Sequence, residues 1–256
     1  MAAPDPTRGS DSEESPFRKR GFIVSAAFLS ATLLLGVVVV LSTGGDDDGK
    51  SAGDGPSSAP AASPSSNRPQ APADGDGCPK LADDRTKVPD AAPAGVTWEL
   101  FRTMALPASK TSGPAVEDGD VARCYARTPT GALMAAAQIS IRAYLAQDWR
   151  TVMKEQTYGD ARDGFIRERA KKEEKDPPPP PEPGELGQFA GFRFVTYDRN
   201  TAVVELVTRF SDPGVLQVST VTVQWRDGDW RYQISDTHAQ PKAVDSLDGY
   251  AAWGGV

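Results

Sequence analysis

Histidine is nearly missing from this chain: His238 is the single one in 256 residues. Cysteine occurs twice, at Cys78 and Cys124, with no CxxC pairing. Zinc sites draw on clustered Cys and His, and a thiol nucleophile needs a histidine beside it, so both chemistries lack their raw material. No GxSxG elbow, HExxH helix, P-loop, GxGxxG turn or calcium-loop pattern occurs either. His238 follows the last strand-like run in "SDTHAQP", two residues after Asp236. A solvated loop histidine describes it better than a general base. The sequence therefore predicts no cofactor, no metal site and no catalytic set.

A surplus of positive charge is also lacking. The formal net charge is −7. Residues 1–20 carry four basic and four acidic groups and 21–42 carry none, so the remainder holds 24 basic against 31 acidic residues. A nucleic-acid surface needs a basic stripe, and an acidic domain of this kind is expected to bind no nucleic acid. Its bulk charge gives no reason to expect attraction to anionic lipid.

What is present begins with a long apolar run. Residues 21–42, "GFIVSAAFLSATLLLGVVVVLS", contain no charge over 22 positions. A helix of that length spans about 33 Å, enough for a hydrocarbon core of about 30 Å. It exceeds a signal peptide's apolar region and ends in "VVVVLSTGG", a poor cleavage site. Arg18, Lys19 and Arg20 precede it, while Asp46, Asp47 and Asp48 follow. The positive-inside rule then predicts a single-pass cell-membrane anchor with residues 1–20 as a disordered cytoplasmic tail and the rest outside.

Residues 43–77 offer Gly, Ser, Ala, Pro, Asp and other polar residues but nothing that builds a core. They read as a flexible tether with an average span of about 30–35 Å. Residues 78–256 suit one domain. Cys78 and Cys124 both fall on the exported side, where disulfides persist, and a bridge between them stabilises by about 4 kcal/mol in the chain-entropy picture. A free thiol or a metal pair is the alternative reading.

Within that domain, residues 79–127 have scattered apolar anchors among prolines, and a short-strand or irregular segment is expected. "TPTGALMAAAQISIRAYLAQDW" follows, with Thr128 or Thr130 as cap, Pro129 in the first turn and Leu133, Ala137, Ile141 and Leu145 at helical spacing. A charged stretch, "GDARDGFIRERAKKEEK", predicts a second helix projecting into solvent. "DPPPPPEPG" ends it, making residues about 160–185 a charged, proline-rich insertion with a stiff spacer. The runs "QFAGFRFVTYD", "TAVVELVTRF", "LQVSTVTVQW" and "DWRYQI" alternate as strands with turn signals between them. Helices followed by an antiparallel meander predict an α+β domain, helices packed on one face of a curved sheet.

The stretch "VQWRDGDWRYQI" sets two aspartates within six residues of two tryptophans. A two-residue type I′ loop at Asp227–Gly228 would pair Arg226 with Asp229, Trp225 with Trp230, Gln224 with Arg231, Val223 with Tyr232, Thr222 with Gln233 and Val221 with Ile234. That register puts apolar residues opposite apolar residues and leaves a polar face between them. Turn chemistry explains Asp227 and Asp229 better than a functional carboxylate pair. An apolar pocket between helix and sheet would leave Tyr144, Tyr197, Asp198 and Tyr232 as candidates for proton chemistry, though each also reads as a packing or rim residue.

The motifs "TPTGALMAAAQIS", "VQWRDGDWRY" and "LDGYAAWGG" resemble, over about residues 95–256, an uncharacterised membrane-anchored family of high-GC Gram-positive bacteria linked to integrative and conjugative elements. The layout of tail, span, tether and exterior domain is similar to the bitopic scaffold subunits of conjugative type IV secretion systems. That resemblance implies a nuclear-transport-factor-2-like cone acting through contact with envelope or secretion-channel proteins, with self-association also possible. In "SLDGYAAWGGV", Leu247, Tyr250 and Trp253 recur every three residues. They read either as a strap closing onto the domain or as an aromatic partner-binding patch. The expected function is a membrane-anchored scaffold rather than an enzyme. The alternatives are an accessory subunit of a lipid or small-molecule importer and an anchored isomerase or dehydratase.

Overall fold

The computed structural model describes residues 73–74, 77–181, 184–211, 214–237 and 240–255. The expected tail, span and most of the tether lie outside these residues, as does His238. Among the described residues, no helix is long and apolar enough to cross a membrane.

The chain begins with short paired strands. β1 (Ala73–Asp74) pairs with β2 (Cys78–Pro79), β3 (Val96–Phe101) with β4 (Met104–Ser109), and β5 (Val116–Asp118) with β6 (Val121–Arg123). The helices are α1 (Pro129–Leu145), α2 (Trp149–Gln156) and α3 (Arg162–Lys175), with β7 (Thr157–Tyr158) between the last two. The main strands are β8 (Gln188–Tyr197), β9 (Thr201–Arg209), β10 (Leu216–Arg226) and β11 (Asp229–Gln233), followed by β12 (Lys242–Val244) and β13 (Ala251–Ala252). Seven of these form one sheet in the order β13-β8-β9-β10-β11-β7, with β12 beside β11 on the same edge of β10. The fold is α+β, three helices with a seven-stranded sheet.

The sheet is mixed where an antiparallel meander was expected. β7 runs parallel to β11, pairing Thr157 with Tyr232. Two residues between two helices have no strand signature of their own; their pairing follows from where α2 deposits the chain. The β10–β11 turn matches its expectation. Asp227 has φ of 49° and Gly228 of 79°, the left-handed pair a type I′ loop requires. The ladder pairs Arg226 with Asp229, Trp225 with Trp230, Gln224 with Arg231 and Val223 with Tyr232. The ladder ends there, while on the opposite side of β11 the Ile234 amide donates to the Tyr158 carbonyl at 2.7 Å, continuing the pairing with β7.

α1 starts where Thr128 accepts a hydrogen bond from the Gly131 amide at 3.1 Å. A Cβ on Gly131 would lie 2.0 Å from the Ala126 oxygen, so only glycine lets the helix start press against that carbonyl. Its alanines are buried on both sides. One side meets β9, β10 and β11, the other meets β4, β6 and α2. A helix that is apolar all round sits inside the domain rather than on it. Thr130, Gln138, Ser140 and Arg142 are the buried polar residues of α1, and the two large ones, Gln138 and Arg142, are both satisfied. Gln138 donates to Pro107 O, and Arg142 donates to Gln138, Asp120 O and Glu117 while lying 4.5 Å over the Phe101 ring.

α3 does not project into solvent as its charges suggested. Phe165, Ile166 and Ala170 pack against the core, and the rest of the docking is polar. Arg169 donates to the carbonyls of Ala143 and Tyr144, each at 2.9 Å, and pairs with Glu173 at 2.8 Å. Its guanidinium also lies 4.1 Å over the Trp149 ring, whose Nε1 donates to Glu173. The carbonyls that Arg169 takes are those of the α1 C-terminus, which prefer a cation.

Candidate functional site

Cys78 and Cys124 form a disulfide with Cα atoms 5.4 Å apart. It sits where the tether joins the domain, and several other fastenings meet there. Cys124 has φ of 70°, a left-handed turn that aims successive backbone N–H groups one way. The Asp229 carboxylate accepts from the amides of Cys124 at 2.7 Å, Tyr125 at 3.0 Å and Trp230 at 2.9 Å. Burial pushes the Asp229 carboxyl above its ordinary value, while those three N–H groups pull it back. Trp230, with no exposure, donates from Nε1 to Ala126 O at 2.9 Å. The carboxylate of the turn is thus a clamp between the hairpin and the cysteine loop, with three of its roughly four acceptor sites used.

A second clamp holds the segment after Cys78. The Asp83 side chain has no exposure and accepts from Arg85, Ser112 and the capping Thr128. Burial would raise its carboxyl, but the Arg85 guanidinium and the two hydroxyls outweigh that and hold it below its ordinary value.

Beside the disulfide lies a groove of about 500 Å³, walled by β6, the end of α2, β7, the start of α3 and the β10–β11 hairpin. By register, Gln224, Arg226, Asp229 and Arg231 share one face of that hairpin, the polar face predicted from the pairing. Five cationic side chains line the groove: Arg123, Lys154, Arg162, Arg226 and Arg231. The acidic ones are Glu155, Asp227 and the already committed Asp229. Arg162 pairs with Asp163 at 2.9 Å, and Arg226 lies 4.7 Å over the Tyr158 ring. No ion pair forms on Arg123, Lys154 or Arg231 among the described residues.

Two buried atoms of this lining make no hydrogen bond: the donor Arg231 Nε and the acceptor Gln156 Oε1. Gln156 is 2 % exposed and spends its Nε2 on Ala122 O. A buried polar atom without a partner costs about 1–3 kcal/mol, so two in one groove ask for a physical reason. A neighbouring groove of about 460 Å³ shares Val121 and Glu155 with the first but is acidic, with Asp118, Asp120 and Asp148. Asp120 there accepts from the Asp148 amide, and among the described residues no group of His, Cys, Asp and Glu is arranged to hold a metal ion.

The residues singled out from sequence fall in several places. Trp253, 4 % exposed, is packed with Trp98, Phe189 and Phe192, ring centroids 4.9, 6.1 and 5.4 Å away. Leu247 and Tyr250 are half-buried against a smaller cluster of Val207, Leu216 and Val218. Arg193 lies 4.7 Å over the Tyr250 ring. The three side chains therefore occupy the closing segment at the β13 edge, far in register from the groove. Tyr144 and Tyr232 are hydrogen-bonded to each other in the core, and burial raises both. Asp198 caps a turn by accepting from the amides of Asn200 and Thr201, with Tyr197 beside Trp230.

The groove's cations were not singled out in the sequence. Arg226 and Arg231 straddle the turn at diagonal positions on the same face, which was the available signal. Arg123, Lys154 and Arg162 reach the groove only through tertiary contact.

Fold and groove define a disulfide-closed α+β domain with a charged cleft at the point where its tether joins. Its sequence matches the model of a domain of unknown function, DUF8175, over residues 58–252, and the chain belongs to that family. No curated protein and no solved structure matches it.

Proposed function

We propose that this chain is a membrane-anchored, extracytoplasmic scaffold domain that works by contact with other envelope proteins, in a machine of the conjugation or secretion type. The observation that carries this reading is the fastening at the tether. A disulfide, the Asp229 clamp and the Asp83 clamp all converge where residues 43–77 hand over to the domain. A domain that must hold its place against a pull from its anchor gains from such a joint, and a disulfide there fits an oxidising compartment. The uncharged span at 21–42 and its basic flank supply the anchor and its direction. Helices on a sheet also fit the cone of nuclear-transport-factor-2-like scaffolds, a likeness of fold that does not itself assign a role.

The groups proposed for pocket chemistry have other work: Tyr144 and Tyr232 bond to each other, and Asp198 holds a turn. The reading is tested by crosslinking the full-length protein in cells, then purifying it and identifying what is attached by mass spectrometry. Channel or envelope subunits are the expected catch. A copurifying metabolite or apolar lipid with no protein partner would overturn the scaffold reading.

A further inference from the structure

We propose that the groove beside Cys78–Cys124 is a binding site for a phosphate-bearing anion. The groove's own lining carries this site, whether or not the domain is a scaffold. On a chain of net charge −7, five cationic side chains gather in one cleft. Four are arginines, whose planar forks match tetrahedral and planar oxyanions, with Lys154 as a mobile point charge. Three acidic side chains also line the cleft, leaving an excess of two positive charges (five against three), and one of the three, Asp229, already accepts from three backbone amides.

Arginine forks pair bidentately with phosphate oxygens, and a phosphate, with several acceptor oxygens and up to two negative charges, engages more of these cations at once than a single carboxylate does. The volume of about 500 Å³ lies within the range of about 300–1,000 Å³ usual for small-ligand sites. Tyr158, Thr157 and the Arg226 guanidinium stacked on Tyr158 give the cleft a pre-formed wall, so little ordering opposes binding.

Phosphate of this kind comes from a soluble ion or ester, or from a lipid headgroup near the tether. The test uses the full-length chain in neutral detergent, with thermal unfolding followed against inorganic phosphate and against short-chain phosphatidylglycerol. Sodium chloride at matched ionic strength and short-chain phosphatidylcholine are the controls. A ligand that binds the folded state raises the midpoint in a saturable way. A response to inorganic phosphate identifies a soluble source, and a response to phosphatidylglycerol alone identifies a headgroup; either supports the site. Arg231→Gln, which removes a guanidinium from the cleft, should weaken binding about tenfold, and Arg231→Lys, which keeps the charge but loses the planar fork, should weaken it less. Lys154→Gln, on an exposed side chain that leaves folding intact, should weaken it about threefold. The proposal fails if neither probe shifts the midpoint beyond its control. It fails equally if the shift survives in Lys154→Gln and Arg231→Gln unchanged, or if only an acidic peptide is bound.

Discussion

The two edges of the seven-stranded sheet are finished in opposite ways. At the β13 edge, Trp253 closes over Phe189, Phe192 and Trp98 in an aromatic cluster. At the β7 edge, a disulfide, a buried carboxylate and a set of guanidinium groups surround an open, charged cleft. Aromatic burial is strong and indifferent to direction, which suits an edge that only has to stay shut. Hydrogen bonds and ion pairs are directional and costly when unmet, which suits an edge that has to present something in a fixed geometry. The difference motivates the proposal that the β7 edge is the one that binds.

Breaking each edge should separate these roles. Trp253→Ala should destabilise by about 3–5 kcal/mol, the usual cost of removing a large buried aromatic, without altering the response to phosphate. Replacing both Cys78 and Cys124 with Ser should cost about 4 kcal/mol by the chain-entropy relation for a loop of this size. Chemical denaturation of both variants checks the pair. A cysteine variant as stable as the wild type would mean that the clamps alone hold the β7 edge.

A smaller effect belongs to α3. Arg169→Ala removes two hydrogen bonds to the α1 C-terminus, an ion pair and a ring contact. It should cost about 2 kcal/mol and raise amide exchange in residues 162–175 while leaving β8–β11 protected. Uniform loss of protection would contradict independent docking of that helix.

How much of this was legible in the sequence depends on how local each cause is. Strands β8 to β11 and their turn were readable because alternation, Asp227–Gly228 and the pairing of Trp225 with Trp230 are properties of neighbouring residues. The start of α1 was readable from Thr128 and Pro129. α2 was not separated out, although Asp148 caps it and Trp149, Val152, Met153 and Gln156 recur on one buried face. Its charged residues masked a short pattern. Arg169 and Glu173 looked like any solvated pair, because the carbonyls that Arg169 meets and the Trp149 Nε1 from which Glu173 accepts lie about 25 residues upstream. The groove was least visible, since it joins positions 78, 123, 154, 162 and 231. An overall negative charge pointed away from anion binding, whereas the local arrangement gathers cations.

The smallest predicted effect is electrostatic and has opposite signs at two clamps. Asp83 lies below its ordinary value in the folded state, so its stabilisation is complete above the unfolded value of about 3.9 and is lost as the pH falls further. Asp229 lies above its ordinary value, so folding gains relative stability as the pH falls through the folded value towards about 3.9. Asp83→Asn should therefore flatten the acid loss below about pH 4, and Asp229→Asn should steepen the loss just above it. Denaturation midpoints from pH 6 to pH 3 read both slopes, and parallel profiles for the two variants would remove the distinction between the clamps.

The account rests most heavily on the β7 edge being a covalently closed joint outside the membrane. Thiol labelling of intact cells that make the full chain tests this directly, using a maleimide that does not cross membranes. Cys78 and Cys124 should be unreactive at first and should label after treatment with an equally impermeant reductant. Labelling that appears without reduction, or only after the cells are lysed, would contradict the account.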